Sequence, residues 1–398
     1  MTESTAFLTS AQAAARLGVK TATLYAYVSR GLIPRHRSDD GRTSLFDAAD
    51  VARLARRGGA ERTAPSDVTV GSELTLVDAG GIWYRGVDVL RACRELQFEE
   101  VASLLWTGSI DRLDPWNADQ RSLRAGAQAM SALKRGAPPA DRLPLIAAGV
   151  AAAHAARTDL SAIETASDVM ACLVDCLPGR SDGTTIAQKL TAHFGGRSLV
   201  DVFDAALSLT CERGLTHGAL AARLTIATGG GIAAAVAAAI QPPLPNARAL
   251  VAIEQAFAKA VDGGASEAAA SLDPEIVGVR HPFRTADPRT PVLLSILGES
   301  APAEAELVST LTDALRKRGV EPNVWYALAA TTWAAGMVPG AAGAIALIAQ
   351  AAGWLAHALE ETNRPTPYRP RLAYTGPAPR ESTPRRTLDA VTQYLSRD

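Results

Sequence analysis

The chain has 398 residues, 47% of them hydrophobic and 5% aromatic, and its 40 basic and 41 acidic side chains leave a net charge of −1. That length supports a large buried core and more than one domain, and the balance of charge excludes a molecule that is basic or acidic as a whole. Alanine-rich, aromatic-poor composition with few strand-forming runs predicts a mostly α-helical protein.

The charge is not evenly spread. The first sixty residues carry nine Lys and Arg against five Asp and Glu, a net of +4, which leaves −5 for the remainder. A locally basic head suits a surface facing nucleic acid. The opening MTESTAFLTS lacks a basic segment followed by an apolar run, so no signal peptide is read there. Cys93, Cys172, Cys176 and Cys211 form no C-x-x-C pair, and they read as buried thiols of a cytoplasmic protein.

Thr9 or Ser10 offers a cap oxygen for a first helix with Ala14, Ala15 and Leu17 on its apolar face, stopped by Gly18. A second helix runs from Lys20-Thr21 through Leu24, Tyr25 and Val28 to Gly31, which makes a helix-turn-helix. Residues 35–46 hold an Asp40-Gly41 turn between polar strands, a hairpin signature, and a third helix begins at Asp47. Residues 1–57 resemble the winged helix-turn-helix of the MerR group. The resemblance implies a partner in double-stranded DNA, with Lys20, Thr21, Thr23 and Tyr27 facing bases or phosphates and Arg37 and Arg42 facing phosphates. So few cations imply modest affinity per copy, so a dimer is expected. Residues 58–67, glycine-rich and polar, read as a linker.

Beyond the linker, residues 68–84 alternate β-branched side chains around Asp78-Ala79-Gly80-Gly81 and predict a small β ribbon. Residues 98–106, FEEVASLLW, are amphipathic and helical in period. Prolines at 138, 139, 144 and 178 punctuate further helices, and a last helix is expected over 387–396. Residues 327–356 contain no charged side chain, which invites a membrane reading. Alanine and glycine dominate the run and Pro339-Gly340 breaks it, so two closely packed core helices split at 336–340 are expected, with no membrane partner.

Pro322-Asn323-Val324, Ala352-Gly353-Trp354-Leu355-Ala356-His357 and Arg369-Pro370-Arg371 with Tyr374-Thr375-Gly376-Pro377 resemble, in order and spacing, the C-terminal motifs of citrate synthases. LTLVDAGGIWYRGVDVL and the FEEVASLLW run resemble the opening of the same family. The implied architecture is a large all-helical citrate-synthase-like domain over 68–398, with a short N-terminal β ribbon and a small helical subdomain at about 250–345.

The implied chemistry joins an acyl-CoA to a 2-oxo acid. An aspartate takes the α-proton, one histidine stabilises the enol, another polarises the keto oxygen, and arginines hold carboxylates. By the resemblance His281, Arg289 and Arg369 are retained for substrate, Arg369 being the arginine lent to the partner subunit's site. The enol-stabilising position is Pro245, the base position is Trp325, the oxo-acid histidine is Arg213 and one arginine is Gln350. His217, read as one helical turn from Arg213 on the same face, and Glu212 are the candidate substitutes. No metal or cofactor is implied, and acetyl-CoA or another acyl-CoA enters as substrate or ligand. Three functional readings follow. One is a DNA-binding regulatory pseudoenzyme that senses a dicarboxylate or acyl-CoA. Another is a subunit paired with an active homologue in a heterodimer. The last is a citrate or methylcitrate synthase acting as a homodimer.

Overall fold

In the computed structural model, residues 7–17, 19–29, 32–38, 43–48, 50–51, 69–78, 81–111, 116–134, 136–155, 157–179, 181–241, 247–278 and 286–368 are described. The chain divides into two units, Met1–Gly71 and Ser72–Asp398.

In the first unit, Thr9 caps α1 (Ser10–Arg16) through a reciprocal box. Its hydroxyl accepts from the Gln12 amide, and the Gln12 side chain accepts from the Thr9 amide at 3.0 Å. Helix α2 (Thr21–Ser29) follows. Strand β2 (His36–Arg37) pairs antiparallel with β3 (Ser44–Asp47), and helical backbone resumes at Ala48. The expected Asp40-Gly41 turn lies outside the described residues. A further strand, β1 (Phe7–Thr9), pairs with the far edge of β3 to give the order β1-β3-β2. Sequence periodicity missed β1 because three residues carry no period. Ala13, Ala14, Leu24, Ile33, Phe46 and Val51 form the core of this unit.

The second unit opens with an antiparallel ribbon of β4 (Thr75–Asp78), β5 (Gly81–Tyr84) and β6 (Val87–Asp88). The helices that follow are α3 (Val89–Glu95), α4 (Phe98–Thr107), α5 (Gln120–Met130), α6 (Pro139–His154), α7 (Ala162–Asp175), α8 (Ile186–Phe194) and α9 (Val200–Thr210). Then come α10 (His217–Ala227), α11 (Ile232–Ile240), α12 (Ala247–Gly263), α13 (Ala265–Ser271), α14 (Pro274–Val277) and α15 (Arg289–Ser300). Last are α16 (Pro302–Lys317), α17 (Val324–Ala335) and α18 (Ala341–Asn363). The molecule is mostly helical, as its composition predicts, and residues 387–396 lie outside the described part.

Helix α18 is the axis of this unit. Its mean hydropathy, 1.5 over its most apolar window, and its 23 residues would suit a bilayer, yet every residue of that window is buried inside the protein. A helix apolar on all sides needs neighbours on all sides, and α4, α6, α7, α9, α10, α11, α12 and α17 supply them. The split expected at 336–340 separates α17 from α18. Small residues set how close the neighbours come. A Cβ on Gly353 would meet the Cys211 carbonyl oxygen at 2.2 Å, and one on Gly218 would meet the Trp354 indole nitrogen at 2.7 Å. The Gly353-Trp354 pair therefore seats α18 directly on the segment that joins α9 to α10.

Candidate functional site

The start of α17 is fixed from several directions. The Asn323 side-chain oxygen accepts from the amides of Trp325 (3.0 Å) and Tyr326 (3.1 Å), which is an N-cap. Its amide nitrogen donates to the carbonyls of Ile276 and Gly278, each at 2.9 Å, and its backbone N–H donates to Val277 at 2.8 Å. Asparagine fits because its amide supplies two donor hydrogens and an acceptor oxygen, whereas a hydroxyl has one donor.

The next amide, Val324 N–H, donates to Asp287 at 3.1 Å. Asp287 also holds Arg289 in a fork, taking Nε at 2.9 Å on one oxygen and Nη2 at 2.8 Å on the other. The third guanidinium nitrogen, Nη1, donates to the Leu209 carbonyl at 3.3 Å. Both side chains are buried. Arg289, expected to hold substrate, therefore also fastens the ends of α9, α15 and α17 together. Asp287 was visible in sequence only as part of a motif.

Trp325, the second residue of α17, is buried, and the Arg213 guanidinium lies over its ring at 5.5 Å from the centroid. Cation and indole attract through the ring quadrupole, worth roughly 0.5–2 kcal/mol according to desolvation. Two of the positions singled out as departures from the family pattern are thus packed on each other. The Arg213 Nε is buried without a hydrogen-bond partner, and among the described residues no carboxylate pairs with this guanidinium. Burial first, then the positive charge of neighbouring Arg289, holds its pKa below the ordinary arginine value.

The reading of His217 as one helical turn from Arg213 on the same face is corrected by the structure. Helix α9 ends at Thr210, Gly214 turns the chain at a φ of 84°, and Thr216 caps a new helix. His217 is the first residue of α10 and exposed, so it does not share a helical face with Arg213. Glu212 is buried: its carboxylate accepts from the Gly214 amide, and its second oxygen lies 3.3 Å from His357 Nε2. The Tyr84 hydroxyl donates to the Glu212 carbonyl at 2.8 Å, and its pKa is pushed well up by burial.

His357 belongs to a buried charged network that the sequence did not single out. Arg223 Nε donates to His357 Nδ1 at 2.8 Å, Nη1 donates to Glu361 at 2.9 Å, and Nη2 binds Glu360. An arginine can only donate, so Nδ1 is the bare nitrogen and Nε2 carries the proton. Glu360 also accepts from the Ser72 hydroxyl and the Glu73 amide, both at 2.8 Å, and Glu361 accepts from the Thr366 hydroxyl at 2.9 Å. Burial pushes both carboxyls up, but these donors outweigh it and hold both below the ordinary glutamate range. The signal lay in the pattern itself: Arg223 is the single charged residue from 217 to 241, and His357, Glu360 and Glu361 follow at helical spacing on α18.

Pro245, His281 and Arg369 lie outside the described residues, as does Arg42. Gln350 is buried in α18, its side chain donating to the Ala346 carbonyl at 3.1 Å one turn back. In the first unit Lys20, Thr21 and Thr23 are exposed at the start of α2, and Arg37 is exposed on β2. Tyr27 is half-buried against that unit's core. Cys93, Cys172, Cys176 and Cys211 are free and buried. Among the described residues no group of three or more His, Cys, Asp or Glu side chains is arranged to hold a metal ion.

Residues 66–371 match the family described as "Citrate synthase, C-terminal domain", and residues 7–59 match a "Helix-turn-helix domain". The match covers most of the chain, and the protein belongs to the citrate synthase family. A curated relative, the citrate synthase of Haloferax volcanii, is 24% identical over 359 residues, covering 79% of this chain and 95% of its own. Among solved structures, the Thermoplasma acidophilum citrate synthase, in a ternary complex with carboxymethyl coenzyme A and oxaloacetate, aligns with a TM-score of 0.63. It is 20% identical over 80% of this chain and 97% of its own. The Thermotoga maritima citrate synthase aligns at 0.63, 18% identical over 82% of this chain and 98% of its own. The Pyrobaculum aerophilum citrate synthase aligns at 0.59, 19% identical over 89% and 97%. At these identities the structures establish a shared fold.

Proposed function

We propose that this chain is a regulatory member of its family, which binds an anionic dicarboxylate or an acyl-CoA without condensing it and reads double-stranded DNA through its helix-turn-helix unit. The Arg213–Trp325 stack carries the proposal. A condensation needs a group of moderate pKa at the carbon that loses its proton. An indole has no basic lone pair, and a guanidinium keeps its proton across the physiological range. Neither side chain moves a proton at neutral pH, and Pro245 has no donor at the enol position. Base and enol stabilisation are each worth roughly two to four powers of ten in rate. The unpaired edge of Arg213, beside Arg289, still suits a carboxylate by charge-assisted hydrogen bonds. His281 and Arg369 are assigned to the same ligand by motif.

Two measurements test this. Purified protein supplied with acetyl-CoA and oxaloacetate is expected to release CoA at background rate, and its gel shift of promoter DNA is expected to change when citrate or oxaloacetate is added. Turnover like that of an ordinary condensing enzyme would falsify the first half. Absence of any shift in either condition removes the second.

The other reading, a citrate or methylcitrate synthase alone or paired with an active homologue, is favoured by the extent of the family match. It requires His217, His281 or Glu212 to take over proton transfer. In either reading a dimer is expected. The α10–α11 hairpin has no charge but buried Arg223, and with Leu215 and Leu224 exposed it offers an uncharged face for a second subunit. Light scattering of the purified protein and co-purification with a homologue separate homodimer from heterodimer.

A further inference from the structure

A second cavity, of about 440 Å³, lies away from the residues discussed above, where the start of α6 and the end of α8 meet α12 and the turn between α17 and α18. Its walls are mostly apolar, with Pro139, Phe194, Val251 and Val338 prominent, and two of its lining residues carry ionisable side chains, Arg142 and His193. The turn that forms one wall is fastened in place. Val338 N–H donates to the Phe194 carbonyl at 3.0 Å, and the Gly340 amide donates to Glu254 at 2.7 Å. Glu254 also accepts from the Thr332 hydroxyl at 3.0 Å and the Ala342 amide at 3.1 Å. A cavity with tied walls is a preformed one, and its volume falls in the range of small-molecule sites, roughly 300–1,000 Å³.

The polar groups narrow the ligand class. Among the described residues Arg142 makes one hydrogen bond, from Nη2 to the Ala137 carbonyl at 3.2 Å, and no carboxylate neutralises it. A guanidinium has five donors, so most of its fork is unspent. His193 Nδ1 lies 3.0 Å from the Pro178 carbonyl, which can only accept, so Nδ1 carries the proton. An apolar chamber with one uncompensated cation at its wall suits a ligand with an apolar body and one negative end. A fully ionic ligand such as phosphate would lose water to walls that give nothing back, and a neutral one would leave the guanidinium unanswered.

We propose that this cavity is a binding site for a small monocarboxylate with an aliphatic or aromatic body, whose carboxylate pairs with Arg142 while the body rests on Phe194, Val251 and Val338. The site is independent of whether the protein condenses, regulates or binds DNA. Isothermal titration of the full chain with octanoate, octan-1-ol and acetate tests it. Octanoate is expected to bind saturably, and more tightly than either the alcohol, which lacks the charge, or acetate, which lacks the body. Arg142→Gln is expected to weaken octanoate at least tenfold, and Val251→Phe, which fills the chamber, to weaken it similarly. Melting curves that match wild type show that both variants fold. Failure of octanoate to bind the full chain, octanol binding as tightly as octanoate, or a change under tenfold in Arg142→Gln overturns the proposal.

Discussion

Two arginines of the same unit, buried Arg223 and half-buried Arg213, are held in opposite ways. Arg223 has three nitrogens engaged by His357, Glu360 and Glu361, and the two glutamates are themselves tied to Ser72, Glu73 and Thr366. Arg213 has the face of Trp325 and a buried Nε with no partner. A charge inside a protein is tolerable when its hydrogen bonds are complete, and costly when they are not. The first arginine therefore belongs to the scaffold. The second is held by an aromatic face, with one guanidinium nitrogen left without a hydrogen bond among the described residues. The difference shows that one fold can hold a cation in two ways, by completed hydrogen bonds or against an aromatic ring.

The contrast can be broken experimentally. Arg223→Met leaves two buried carboxylates, Glu360 and Glu361, without their shared cation, and is expected to destabilise by about 3–5 kcal/mol. Urea unfolding with the midpoint unchanged would show that the network is not structural. Gly353→Ala presses a Cβ against the Cys211 carbonyl, a backbone atom that cannot step aside cheaply, and about 1–3 kcal/mol is expected from overpacking. The same urea series reads it, and a midpoint equal to wild type would mean that α18 shifts freely.

Acid offers a milder probe of the network. Glu360 and Glu361 have folded-state pKa values below the ordinary glutamate value of 4.5. As pH falls, the unfolded chain takes up these protons first. Stability from the pair is therefore full above about pH 4.5 and drains away as pH drops through the lowered folded values. Melting temperatures measured from pH 6 to pH 3 are expected to fall in that window, and to fall less steeply in Arg223→Met. Parallel pH profiles for the two proteins would detach the carboxylates from Arg223.

The smallest effect on stability is expected from Arg213→Ala. Removing a half-buried charge with an unsatisfied Nε offsets the lost cation–π contact, so the change should stay within about 1 kcal/mol. Binding is where it should show, with oxaloacetate or citrate affinity dropping at least tenfold in titration calorimetry. A large stability loss with unchanged affinity would make Arg213 a scaffold residue like Arg223.

Much of this arrangement was legible in the residues. Thr9 read as a cap, and the charge-free stretch from 327 to 356 as two core helices. The break between Thr210 and Thr216 was not legible, because the four-residue spacing of Arg213 and His217 was read as a helical turn despite the local signal of Gly214. Nor was the fork between Asp287 and Arg289, whose purpose depends on the Val324 amide some 37 residues away.

By itself, the order of residues determined the helical class, the family and the Thr9 cap, because propensity, capping and motif spacing act between near neighbours in the chain. Only the tertiary structure decided that Arg213 rests on Trp325, that Arg223 answers two glutamates, and that Glu212 is enclosed. Those outcomes depend on which distant segments share a buried space, and burial sets whether a charge is paired, stacked or left open.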